Sequence, residues 1–384
     1  MNRRPALAGA AAALLVALSA APARADTVRD KQWGLAAMHT QEAWRTTKGA
    51  GVTVAVLDTG VDDQHPDLTG NVLPGRDLVG FGAKSGDRSW ARHGTAMASI
   101  IAGHGHGPAR GEGVLGVAPE AKVLPVRVIL EGTDPSRDKA RESRGNALAE
   151  GIRWAVDQGA DVINLSLGDD SESAHPEAEE DAAVQYALRK GAVVVASAGN
   201  GGEKGDHISY PAAYPGVIAV TAVNAAGTHA SFSTRRWYAT VAAPGVDVVI
   251  ADPDRSYYEG WGTSAASAFV SGAVALVRAA HPDLPPAEIK RLLARTARDA
   301  PSGGRDDSRG HGMVDPAAAI AAATRGRTPV HSTAAGHSAP YFGPGPTAPA
   351  PAPTGPETWS LAAGGAGLLL LATAATLWHT SRRR

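Results

Sequence analysis

Six short, mainly apolar runs punctuate the middle of the chain, at 52–57, 122–129, 162–167, 193–197, 217–223 and 238–243. Runs such as V-T-V-A-V-L (52–57) and V-V-V-A-S (193–197) are hydrophobic at consecutive positions, not at alternate ones. That pattern predicts strands covered on both faces. Between and after them lie stretches with helical patterning: from His93 to a stop at Gly103, from Asn146 to Gln158 with Gly159 behind it, from Asp181 to Lys190, from Ala287 to Thr296 and from Asp315 to Ala322. One further stretch, G-T-S-A-A-S-A-F-V-S-G-A-V-A-L-V-R-A-A-H from Gly262 to His281, is too uniformly apolar for a surface helix and is expected to be central and buried. Alternation of apolar strands with helices implies an α/β fold, a mostly parallel sheet with helices on both sides.

Both ends of the chain depart from this pattern. Residues 1–25 carry Arg3 and Arg4, an Ala/Leu/Val run and Ala23-Arg24-Ala25, the form of a secretory signal peptide cleaved before Asp26. Residues 26–50 form an extension whose Trp33, Leu35, Met38 and Trp44 are expected to pack onto the following domain, and it is too short to fold alone as a propeptide. The domain proper is read as 51–325. Residues 326–357 are a Pro/Ala-rich linker, able at roughly 3 Å per residue to hold the domain up to about 100 Å from an anchor point. Residues 358–379, bounded by Trp359 and Trp378 and uncharged between them, are long enough for a transmembrane helix; a buried core helix is the other reading of such a run. The basic tail 380–384, with Arg382 to Arg384, is expected in the cytoplasm, which places the domain outside the cell membrane.

Composition removes several function classes. With 37 Lys and Arg against 38 Asp and Glu, the net charge of -1 gives nucleic acid no electrostatic footing. The absence of cysteine excludes disulfides, thiol catalysis and thiolate metal sites.

The candidate chemistry sits where such a sheet would gather it, since ligands of open parallel sheets bind beyond the carboxyl ends of the strands. Asp58 follows the first strand, Asn200 follows V-V-V-A-S-A-G, and His93 and Ser264 each stand at a helix start. A serine becomes a nucleophile when a histidine takes its proton, and a buried carboxylate must orient that histidine. An asparagine N–H, with the Ser264 backbone N–H, can meet a developing oxyanion. Taken singly, Ser264 or Thr263 is as readily an N-cap, His93 a core histidine and Asn200 a turn residue.

The motifs Asp58-Thr59-Gly60 with His65-Pro66-Asp67-Leu68, His93-Gly94-Thr95, Ser197-Ala198-Gly199-Asn200 and Gly262-Thr263-Ser264-Ala265-Ala266 together resemble the subtilisin family of serine peptidases, in its chain order of Asp, His and Ser. The leader, short extension, Pro-rich linker and C-terminal span resemble the mycosin branch, membrane-anchored proteases of type VII secretion in actinobacteria. The resemblance implies a subtilisin-like three-layer fold, Asp58 as orienting carboxylate, His93 as general base and acid, Ser264 as nucleophile and Asn200 as oxyanion donor. It also implies substrate pairing along the edge Ser166, Leu167 and Gly168, a protein or peptide substrate, a secretion-complex partner, and no cofactor. Three departures stand out. The cysteines usual in mycosins are missing, Ala96 and Ala268 replace a histidine and a proline common in the family, and Trp261 is bulkier than the usual small polar residue.

Other readings are weighed on the same residues. One D-T-G does not make an aspartic protease, which needs two. His104 and His106 in G-H-G-H-G read as a solvated loop rather than a metal site. Asp62, Asp63 and Asp67 read as turn caps and surface charge, with a calcium site as the alternative. A rival from another class is an inactive scaffold subunit of a secretion complex.

Overall fold

The computed structural model describes residues 27–326 apart from 88. The leader expected over 1–25 and, from 327 onward, the expected linker, membrane span and tail lie outside the described residues.

The described chain opens with three short helices, α1 (Thr27–Asp30), α2 (Trp33–Ala37) and α3 (Thr40–Ala43). Then come strands β1 (Thr53–Asp58) and β2 (Arg76–Asp77), helix α4 (Arg92–Ala102), and strands β3 (His104–His106), β4 (Glu112–Leu115) and β5 (Lys122–Arg127). Helices α5 (Arg137–Ser143) and α6 (Ala147–Asp157), strand β6 (Val162–Leu165), helix α7 (Ala178–Arg189) and strands β7 (Val193–Ser197), β8 (Ile218–Val223) and β9 (Ala239–Pro244) follow. The hairpin of β10 (Val248–Ala251) and β11 (Tyr257–Gly260) leads into α8 (Thr263–Ala280), α9 (Pro286–Thr296) and α10 (Pro316–Arg325).

The main sheet has seven strands in the order β2-β5-β1-β6-β7-β8-β9, and every neighbouring pair is parallel. Because successive side chains of a strand point to opposite faces, each apolar run feeds two cores at once. Val54 and Val56 join the core on the α4 and α8 side, while Ala55 and Leu57 join the core of α6 and α7. Val193 and Val195 against Val194 and Ala196 divide in the same way. The result is the expected three-layer α/β fold, with the sheet as its middle layer.

Helix α8 is the pillar of one layer. It packs on β6, β7, β8, β9 and α4, and 15 of its 18 residues are buried. Among the described residues it is the one helix long and apolar enough to cross a membrane, yet 83% of it is buried inside the protein, as befits a core helix.

The extension wraps the domain. Leu35 and Met38 are buried, and Trp33 and Trp44 pack against the same core. Side-chain hydrogen bonds to backbone, which need no cysteine, tie it down. Gln32 exchanges two bonds with Leu115 at 2.8 and 3.0 Å, Arg29 reaches the Gly113 carbonyl at 3.0 Å, and Trp44 Nε1 reaches the Val117 carbonyl at 2.8 Å.

The stretch 131–144 contains α5, a surface helix whose one buried residue is Ala140. With so few apolar positions it leaves no periodic trace in the sequence.

Candidate active site

Four adjacent strands deliver their carboxyl ends to one edge of the sheet, in the spatial order β5, β1, β6, β7. Asp58 is the last residue of β1 and is fully buried. Its two carboxylate oxygens lie 2.8 and 2.9 Å from His93 Nδ1, and Oδ1 also accepts the Thr59 N–H at 2.7 Å. A carboxylate so placed fixes the imidazole with its proton on Nδ1 and leaves Nε2 free to act as a base.

Helix α4 brings His93 to that carboxylate through a close backbone approach. A Cβ on Gly94 would fall 1.9 Å from the Gly60 carbonyl oxygen and 3.2 Å from Asp58 Cβ, so this position admits hydrogen alone. Thr59 and Thr95 lock the approach: Thr59 Oγ1 accepts from the Gly94 N–H at 3.1 Å, and Thr95 Oγ1 from the Asp62 N–H at 2.9 Å. The D-T-G and H-G-T motifs are thus two halves of one joint.

Burial opposes charge on His93, but the Asp58 charge and its hydrogen bond outweigh that effect, Glu131 adds to them and Arg137 opposes. The net result raises the imidazole pKa above its ordinary 6.5.

Ser264 is the second residue of α8, two residues after the cap Gly262, whose φ of 146° favours a residue without a side chain. Ser264 Oγ donates to the Ser166 carbonyl at 3.0 Å, and no hydrogen bond joins it to His93 in this conformation. The Ser166 side chain is buried and structural. Its Oγ meets the Ser264 carbonyl at 2.9 Å and Ser267 Oγ at 2.8 Å, and Asn164 links this pair to Ser271. Beyond Ser166, the Leu167 carbonyl accepts from Ser197 Oγ at 3.2 Å, and Gly168 is exposed.

Asn200 lies just beyond β7. Its Oδ1 accepts both the Thr263 N–H at 3.0 Å and Thr263 Oγ1 at 2.9 Å, while its backbone N–H is held by Asp170 Oδ2 at 2.7 Å. Because a backbone N–H can only donate, the carbonyl end of the amide must face Thr263. The NH2 end is left to face the other way, with no protein partner among the described residues. Thr263 and Asp170 as the residues that aim Asn200, and Glu131 beside His93, were not singled out from the sequence. No local pattern marks them, because each acts across 30 or more residues of chain.

The other candidates resolve into structure. Asp67 is buried, with Oδ1 2.6 Å from His106 Nδ1 and Oδ2 accepting from the Val114 N–H at 2.9 Å and Tyr257 OH at 2.8 Å. This corrects its reading as surface charge: it is the knot that joins the β3–β4 and β10–β11 hairpins. His104 is buried too, its ring nitrogens 2.7 Å from the Gly105 carbonyl and 2.9 Å from the Thr69 carbonyl, so G-H-G-H-G is a packed strand rather than a solvated loop. Asp62 pairs with Arg255. No group of three or more His, Asp or Glu able to hold a metal occurs among the described residues. Trp261 packs against Phe232 with the rings tilted at 51° and their centroids 4.8 Å apart, and it remains largely exposed.

The subtilase family profile, peptidase S8, matches residues 49–312. Fervidolysin of Fervidobacterium pennivorans is 37% identical over 321 residues, covering 77% of this chain and 44% of fervidolysin. The thermophilic serine proteinase of Bacillus sp. strain AK1 is 39% identical over 267 residues, 69% of this chain and 61% of that protein, so the chain spans about half the length of these relatives. Among solved structures, MycP1 from Mycobacterium smegmatis superposes with a TM-score of 0.65 at 32% identity, covering 77% of this chain and 86% of MycP1. With a family match over most of its length and with mycosins among its structural neighbours, the chain belongs to the subtilase family of serine peptidases.

Proposed function

We propose that the protein is a serine endopeptidase in which Ser264 attacks a peptide carbonyl, His93 relays the proton, Asp58 orients the imidazole and Asn200 receives the oxyanion. The observation that carries this reading is the Asp58–His93 pair at 2.8 Å, set on the sheet edge that also holds Ser264 and Asn200. Rotation of the Ser264 hydroxyl away from the Ser166 carbonyl presents it to His93 Nε2. His93 takes the proton as the Oγ–C bond forms, and the tetrahedral oxyanion meets the Asn200 Nδ2–H and the Ser264 backbone N–H. His93 then gives the proton to the leaving amine, and water hydrolyses the acyl-enzyme by the same route reversed. The backbone of Ser166, Leu167 and Gly168 is read as the edge on which the substrate pairs as an added strand.

We further propose that the catalytic domain works outside the cell, tethered by the span at 358–379, in partnership with a secretion complex. This rests on the leader and span read from the sequence and on likeness to MycP1 from the ESX-1 type VII secretion system. Exposing the purified domain to a fluorophosphonate probe tests the chemistry. Labelling is expected on Ser264 and lost in Ser264→Ala; a folded wild-type protein that takes no label is instead the inactive scaffold.

A further inference from the structure

The first turn of α4 carries His93, and its cap residue cannot serve it. Ala91 has a left-handed φ of 53° and no side-chain hydrogen-bond acceptor to offer. The orphan donors of that turn are satisfied from elsewhere: the Gly94 N–H by Thr59, and the His93 N–H by Glu131 Oε1 at 2.8 Å. Glu131 comes from the exit of β5, the strand beside β1, where the Val128 N–H bonds the Asp58 carbonyl at 2.9 Å. Among the described residues no cation forms an ion pair with the Glu131 carboxylate, so its charge is available to its surroundings. Arg92, next to His93, is occupied by Asp252 at 2.6 Å.

We propose that Glu131 is a positioning residue for His93, capping the first turn of its helix and supplying a second negative charge near the imidazole that Asp58 holds. The proposal rests on the triad reading above. A capping carboxylate at a helix N-terminus gains from the helix dipole and pins the turn, and its charge stabilises the imidazolium that forms as Ser264 loses its proton. Three charged groups act on the ring: Asp58 and Glu131 favour its protonated form, and Arg137 opposes it.

Substitution separates the two roles. Glu131→Gln keeps a carbonyl oxygen for the His93 N–H and removes only the charge, so a mere structural cap would leave it silent. The His93 ring is titrated by NMR in the Ser264→Ala background, and kcat and KM are measured against pH in the active protein. Glu131→Gln is expected to move the His93 titration to lower pH, by less than Asp58→Asn does. It should also lower kcat by about three- to tenfold with little change in KM, well short of losing an oxyanion donor. Glu120→Gln, at an exposed site, should change neither. If Glu131→Gln titrates and turns over like the parent while Asp58→Asn shifts the ring, Glu131 is a cap and the proposal falls alone. If Asp58→Asn leaves the ring unmoved as well, the triad reading itself falls.

Discussion

At the residue scale, the polar groups of the site are held by bonds that leave one reactive face free. Asn200 is the clearest case, because Thr263 takes its carbonyl end and Asp170 its backbone N–H, which leaves the amide NH2 without a protein partner among the described residues, as the proposed oxyanion donor requires. Asn200→Ala is expected to lower kcat by about 100- to 1000-fold, roughly 3 kcal/mol, with the fold intact by circular dichroism. Thr263→Val keeps the backbone donor and loses only the hydroxyl, so a smaller loss, about threefold to tenfold, is expected. Unchanged turnover in Asn200→Ala removes that residue from the mechanism. His93 yields a pH prediction. Since neutral imidazole is the base and the Asp58 charge favours the protonated form, activity must rise with pH through a pKa raised above 6.5. The acid limb of kcat/KM on a peptide substrate should lie above that value and shift down in Asp58→Asn; a limb below it contradicts the pairing.

At the element scale, the site depends on how closely α4 and α8 meet the sheet. Gly94→Ala places a methyl group inside the Gly60 carbonyl contact, between the Gly60 backbone and Asp58 Cβ, with no flexible side-chain end to move away. A destabilisation of about 2–4 kcal/mol in urea titration is expected, together with loss of activity, because relief of the clash drags His93 from Asp58. A stable, active Gly94→Ala would mean that the joint is looser than its geometry. The hairpins pose a similar test at Asp67. Asp67→Ala leaves buried Val114 N–H unsatisfied and His106 without its carboxylate, so a loss of about 2–3 kcal/mol is expected from thermal melting, with kcat barely altered.

At the scale of the whole molecule, the described domain holds its own core and its extension is bound by hydrogen bonds rather than disulfides. A chain ending at Arg325 is expected to be secreted, soluble and fully active on a small peptide, yet impaired in cells, because release from the tether lowers the effective concentration near membrane partners. Recovery of that truncated form in the membrane fraction would sink the anchor. On the proposed cleavage before Asp26, only residues 26–50 would precede the domain, too few to fold alone, so Ser264→Ala and wild type should share one mature N-terminus, read by mass spectrometry. Alternation of apolar strands with helices determined the α/β class from the sequence alone, since side-chain period and burial on both faces are local properties of each run. Asp58, His93, Asn200 and Ser264 were legible as candidates because each sits inside a short motif: D-T-G and H-G-T meet in one joint, and Thr263 of G-T-S bonds Asn200. Only the tertiary structure revealed the contacts of Glu131, Thr263, Asp170 and Asp67. Their partners lie 30 or more residues away, and a lone Glu, Thr or Asp in a loop looks the same whether it faces water or a buried N–H. The same holds for α5 and the β3–β4 and β10–β11 hairpins, which are too short to show a hydrophobic period and become ordered by what they pack against.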